Sequence, residues 1–314
     1  MIPTREDIEN AYERVRPYVH RTPVLTSTAL NDISGAKLFF KCENFQRTGS
    51  FKMRGAINAI HQLSDAQKEA GVVTHSSGNF AQALSLAART LGVPAYIVMP
   101  SNAPSVKKEA VKGYAGQITE SEPTLDARES ESERIQKETG ATFVHPSNDI
   151  NVILGQGTSA TELLQDHPDL DIVITPVGGG GLVAGCSLSA YYLGNECKTL
   201  AGEPKEVDDA WRSLQSGKIE KNSTTDTIAD GLRTHLGDKN FPIIQKHVSE
   251  IITVEEDEIR AAMKLIWERM KMIIEPSSAV PVAAVLKRKE EFAEKRIGII
   301  ISGGNVDLTQ ISFN

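Results

Sequence analysis

Three short stretches of this 314-residue chain hold residue types that could do chemistry together. The first is DIVITPV-GGGG-LVAGCSLSAYY, a strand, four glycines and a helix. Gly178, Gly179, Gly180 and Gly181 carry no side chains that would keep backbone N–H groups off an anion, and a helix N-terminus behind them favours negative charge. The chemistry implied is a phosphate-bearing ligand. No Gly-Lys-Ser/Thr follows, which excludes a P-loop, but Gly179, Gly181 and Ala184 satisfy the G-x-G-x-x-A dinucleotide fingerprint, with Glu203 about 20 residues on. A tight turn without any ligand would use the same glycines.

The second stretch is FQRTGSFKMRGA (45–56), which places Lys52 at a loop-to-helix junction beside Phe51. An amine desolvated there loses its proton readily and can form an imine, the entry to amino-acid carbanion chemistry. Taken alone, such a lysine is usually a solvated surface charge, and the neighbouring phosphate loop is what changes the odds. The third is THSSGNFAQA (74–83), where a strand ends in Ser76, Ser77 and Gly78, groups able to donate to a carboxylate. Asn79 reads as the N-cap of the helix that follows.

The elements that must position these residues follow from pattern. From about Gly71, short β-rich runs alternate with helical ones: VVTHSS (72–77), a helix from Asn79 to about Leu91, AYIVMP (95–100), helices near 104–113 and 124–138, and TFVH (142–145). That rhythm marks parallel βαβ units. A second block holds DIVITPV (171–177), the helix 182–194, KTLAGEP (198–204), helices over 255–271 and 276–290, and IGIIISG (297–303). HRTPVLTS (20–27) and KLFFKCE (37–43) read as strands feeding into it. The expected division is a discontinuous large domain, 1–71 and 148–314, with a small domain, 72–147, inserted. The stretch 215–227 is the expected surface loop.

Composition narrows the function. With 34 basic against 41 acidic residues, the net charge is −7, and no basic stripe exists to follow a phosphate backbone, so nucleic acid is not an expected partner. Cys42, Cys186 and Cys197 are odd in number and lack C-x-x-C spacing, which argues against a disulfide framework or structural zinc. The N-terminal MIPTREDIENAYERV is an acidic amphipathic helix without the apolar run of a signal peptide, and no run is long enough to span a membrane. A soluble, cytoplasmic protein is expected.

Taken together, the three stretches resemble the fold-type II pyridoxal-phosphate (PLP) enzymes, and within them the serine racemase and serine/threonine dehydratase group. The resemblance runs nearly end to end through RTPVLTS (21–27), GSFKMRGA (49–56), SSGNFAQA (76–83), GQGT (155–158), PVGGGG (176–181), IADG (228–231), IEPSSA (274–279) and SGGNVD (302–307). It implies an α/β chain in two domains of the tryptophan synthase β-like kind, each an open, mostly parallel sheet flanked by helices. It also implies that Lys52 holds PLP, that Gly178 to Gly181 with Leu182 take its phosphate, and that Phe51 packs on the ring. Asn79 would bond the 3-hydroxyl, and Ser302 would partner the pyridine nitrogen with a neutral hydroxyl.

Ser77 matters most for the reaction, because threonine-type dehydratases usually read S-A-G-N there and serine racemases S-S-G-N. Racemisation needs an acid/base on each face of Cα, and by analogy Lys52 serves one face and Ser77 the other. Such an enzyme should also dehydrate serine. Ser76, Ser77, Gly78, Asn79 and Gln82 would hold the substrate carboxylate. Glu203, the Val207 carbonyl and Asp209 match the family's divalent-cation site, suited to Mg²⁺ or Ca²⁺. Without the family those acids would read as a surface turn.

Phe80 departs from the family, which usually has His there; Gln82 and Asn305 sit at places matching an ATP activator site. Homodimers are common in the family. No regulatory domain is expected after the catalytic region. Arg128 matches an arginine that meets a substrate's distal polar group, which keeps threo-3-hydroxyaspartate and aspartate in play after serine. The serine run of aspartate racemases is missing at HPSNDIN (145–151). Rivals of other classes are an NAD(P)-dependent oxidoreductase and a PLP-fold ligand sensor.

Overall fold

The computed structural model describes residues 2–103 and 105–310. The N-terminal part forms α1 (Arg5–Val15), β1 (Val24–Leu25), α2 (Thr28–Ser34), β2 (Lys37–Cys42), α3 (Lys52–His61) and α4 (Asp65–Ala70). An alternating run follows: β3 (Val72–His75), α5 (Asn79–Leu91), β4 (Ala95–Pro100), α6 (Ser105–Gly113), β5 (Gln117–Ser121), α7 (Leu125–Thr139) and β6 (Thr142–Phe143). The remainder gives α8 (Ile150–Asp166), β7 (Ile172–Pro176), α9 (Gly181–Leu193), β8 (Lys198–Pro204), α10 (Asp209–Ser216) and α11 (Phe241–His247). It ends with β9 (Val248–Val254), α12 (Glu256–Met270), α13 (Pro276–Lys287) and β10 (Arg296–Ile301).

Two sheets result, a six-stranded one in the order β1-β2-β10-β7-β8-β9 and a four-stranded one in the order β5-β4-β3-β6. All strand pairs are parallel except β1 with β2. The central β7, IVITP, is buried along its whole length, as a strand covered by helices on both faces must be. Ends are set locally: Thr4 and Asp7 form a capping box on α1, and the Asp149 carboxylate accepts from Asn151 and Val152 N–H at the start of α8.

One apolar cluster joins Met53, Ala56 and Ile57 of α3 to Phe80, Ala83 and Leu84 of α5, so the helix carrying Lys52 also packs on the helix of the smaller sheet. Beneath α3 lies a fully buried group of four charges. Arg54 donates to Glu43 at 2.7 Å and to Glu162 at 2.8 Å, and Lys41 reaches Glu162 at 2.6 Å. Burial would depress both cations, but the two carboxylates hold the Arg54 guanidinium well above its ordinary range, while Lys41 ends below its own.

Several sequence expectations are corrected. TFVH pairs only over Thr142–Phe143, and HRTPVLTS only over Val24–Leu25. Among elements not anticipated, β5, β9, α8 and α11 stand out. Helix α5 is capped by Gly78 without a side-chain bond; Asn79 is its first residue, not its N-cap.

Candidate active site

Lys52 opens α3, and its Nζ donates to the Pro146 carbonyl at 2.9 Å. Its ammonium lies 4.8 Å from the Phe51 ring centroid and 5.8 Å from that of Phe80. Burial pushes its pKa down to about 8, against the opposing pull of the Glu275 carboxylate. A sizeable fraction of such an amine is neutral, and therefore nucleophilic, near physiological pH.

Gly178 to Gly181 link β7 to α9, with Gly180 at φ +81°. A Cβ on Gly179 would stand 2.4 Å from the Ser147 hydroxyl, and one on Gly181 would stand 2.6 Å from Gln156 Oε1. Only glycine leaves this cradle open. Asn240 braces it, its amide donating to the carbonyls of Gly179 at 2.8 Å and Ser147 at 3.0 Å. The same Pro146 carbonyl that receives Lys52 also accepts from Gln156 Nε2 at 3.1 Å. Amine and glycine cradle are thus tied to one turn, Pro146–Ser147, and to one side chain, Gln156.

Ser302 follows the last residue of β10 and is buried. Its backbone carbonyl accepts from Phe51 N–H at 3.0 Å, and its hydroxyl lies 2.9 Å from that of Ser278. Ser278 in turn donates to the Gly303 carbonyl at 2.8 Å. With the Ser278 proton directed at that carbonyl, the Ser302 hydroxyl is the donor between the two serines, and the pair is polar without charge.

Ser76, Ser77 and Gly78 form the half-buried turn after β3, and buried Gln82 follows on α5. The Asn79 amide is held between Glu275 and the Asn305 amide, 2.9 Å away. Arg128 lies half-buried on α7, and its charge helps depress His75 at the end of β3 to about 4, behind the larger effect of burial.

Glu203 and Asp209 are both buried. Glu203 accepts from the N–H groups of Ala210 and Trp211 at 2.9 and 2.8 Å, and Asp209 accepts from Asn222 and from Leu236 N–H. Burial raises Glu203 well above the usual carboxylate range, and Asp209 adds repulsion; Asp209 itself is pushed up to about 6, mainly by burial. Trp211, near this pair, is partly exposed.

Glu275, Gln156, Asn240, Ser278 and His145 were not assigned roles from sequence. Glu275, Gln156 and Ser278 sit inside quoted motifs, whereas Asn240 lies in DKNFPI, which carries no recognisable pattern.

The glycine cradle beside a desolvated lysine, in two mostly parallel sheets, defines a fold-type II enzyme built around pyridoxal phosphate. The comparisons agree: the family described as pyridoxal-phosphate dependent enzyme matches residues 15–303, and the chain belongs to it. The chain is 50% identical to a β-hydroxyaspartate dehydratase of Paracoccus denitrificans (strain Pd 1222), covering 100% of this chain and 99% of that protein. It is also 50% identical to a serine racemase of Dictyostelium discoideum, over 98% of this chain and 97% of the relative. The structure of maize serine racemase superposes with a TM-score of 0.96 at 47% identity, covering 98% of this chain and 95% of that one. No helix among the described residues is long and apolar enough to cross a membrane.

Proposed function

We propose that this chain is a serine racemase that also dehydrates L-serine to pyruvate and ammonia. The observation that carries the reading is the S-S-G-N turn after β3, Ser76 to Asn79, in a chain half identical to serine racemases along its length. The cofactor fits the site: a cradle that any Cβ would fill takes the phosphate, and Lys52 supplies the amine. Bound PLP supplies an electron sink for the carbanion at Cα. Lys52, poised at about 8, takes or returns the proton on one face, and Ser77 holds the proton of the other. Ser76, Gly78, Asn79 and Gln82 orient the substrate carboxylate, and Ser302 meets the ring nitrogen without charging it. Phe51 closes one side of the ring and helps exclude water.

A divalent cation, Mg²⁺ or Ca²⁺, belongs to this reading. Two buried carboxylates, both raised chiefly by burial and with Asp209 also repelling Glu203, are what a cation between them would relieve, with the Val207 carbonyl as a third oxygen. The reading also takes the small domain as 72–147, closing over the substrate, in a homodimeric, cytoplasmic enzyme. ATP as an activator would engage Gln82 and Asn305.

A second reading, dehydration of 3-hydroxyaspartate, is favoured by Arg128, whose charge acts on His75 beside the S-S-G-N turn, and by the Paracoccus relative. A panel of L-serine, D-serine, L-threonine, L-aspartate and threo-3-hydroxyaspartate, scored for keto acid and for enantiomer, separates the two. Replacing Lys52 by Ala should abolish turnover and the visible absorbance of the bound cofactor; retained turnover would overturn both readings.

A further inference from the structure

The crossover from β6 to α8 runs through His145, Pro146, Ser147 and Asn148. His145 Nδ1 receives two backbone N–H groups of that crossover, Ser147 at 3.1 Å and Asn148 at 2.8 Å. An imidazole nitrogen that accepts carries no proton, so the ring proton sits on Nε2. The turn closed in this way presents the Pro146 carbonyl to Lys52 Nζ and to Gln156, and the Ser147 carbonyl to Asn240. On its other side the His145 ring meets the smaller sheet, edge-on to His75 at 6.4 Å and to Phe143 at 6.2 Å.

We propose that His145 is a positioning residue for Lys52: its unprotonated Nδ1 folds the crossover so that the Pro146 carbonyl stands as hydrogen-bond acceptor for the lysine amine whenever that amine is free. The inference rests on Lys52 being the cofactor lysine. A carbonyl acceptor stabilises the ammonium form, so the turn holds the amine in place and also sets its proton affinity. A charged His145 would aim an N–H at two N–H donors and open the turn. The surroundings keep it neutral. Burial acts first, then the charges of His75, Lys52 and Lys239, and only Asp238 opposes them.

Two variants test this. Asn places its Oδ1 where His places Nδ1 and can accept from the same N–H groups, as in an Asx turn, whereas Leu fills the space and accepts nothing. In the PLP-loaded enzyme, ¹⁵N NMR should show His145 protonated at Nε2 alone from mildly acidic to mildly alkaline pH. His145→Asn should keep PLP affinity within about threefold, and His145→Leu should lose roughly tenfold, the effect of one neutral hydrogen bond, because the opened turn no longer offers Gln156 and Asn240 the carbonyls that brace the glycine cradle. The pH midpoint for capture of PLP by Lys52 should fall in the Leu variant alone. A merely structural role would not move it. If Leu fails to fold, His145→Ala, which accepts nothing and adds no bulk, replaces it in the comparison. Equal behaviour of the Asn and non-accepting variants, or a proton on Nδ1, would overturn the proposal. None of these readouts turns over an amino acid, so an error about substrate leaves them unchanged. PLP capture by Lys52→Ala would instead remove the lysine assignment itself.

Discussion

The Asn79 amide donates to both carboxylate oxygens of Glu275, at 3.1 and 3.0 Å, and so joins the turn after β3 to the start of α13. Burial outweighs these bonds and pushes Glu275 up from 4.5 to about 7. The native chain therefore binds more protons than the unfolded one between those values, and this group's contribution to stability falls as pH rises through that window. Glu275→Gln should flatten that dependence in melting curves recorded from pH 4.5 to about 7. It should also lower the pKa of Lys52, because a nearby negative charge is removed. An unchanged slope of Tm against pH would contradict the placement of a titrating carboxyl here.

Ser77→Ala should separate the two activities. Racemisation of serine should drop by roughly 100-fold or more, within the range given by loss of an acid/base group, while L-serine dehydration persists. Chiral chromatography and keto-acid assay on the same sample measure both. Equal loss of the two would remove Ser77 from its assigned face.

Arg128→Ala distinguishes substrates. If Arg128 meets a distal carboxylate, kcat/KM for threo-3-hydroxyaspartate should fall by about 10- to 100-fold, the effect of a charge-assisted pair, with serine little affected. Parallel losses on both substrates would assign Arg128 to the fold instead.

For the cation, EDTA should lower the Tm of the wild-type protein by about 5 °C, provided the ion is supplied near 100 times its Kd. Asp209→Asn should melt at the same temperature with and without EDTA. A wild-type Tm indifferent to chelation would count against a bound ion at Glu203 and Asp209.

The legible parts of this protein were those where local chemistry and long-range role coincide. Helix α5 and strand β4 run over the residues their patterns predict, because an apolar 3.6-residue period and a β-rich run each report a buried face directly. Strand β5, QITES, escaped because an edge strand with exposed Gln117 and Glu120 lacks that signal. Asn79 was misassigned for a related reason. Asn before an apolar helix usually caps it, but here Glu275, nearly 200 residues away in sequence, claims the amide. Asn240 acts through backbone groups of distant turns and His145 through those of its own, which no spacing of residue types reveals.

The four charges beneath α3 also constrain how the chain can assemble. Lys41 and Glu43 flank the end of one strand, Arg54 lies two residues after Lys52, and Glu162 is on α8. Two positive and two negative groups cancel only when all three segments are docked, and a lone member stranded in the interior costs about 3–5 kcal/mol. Partly assembled forms are accordingly penalised, and the stretch bearing the reactive amine matures together with its scaffold or not at all.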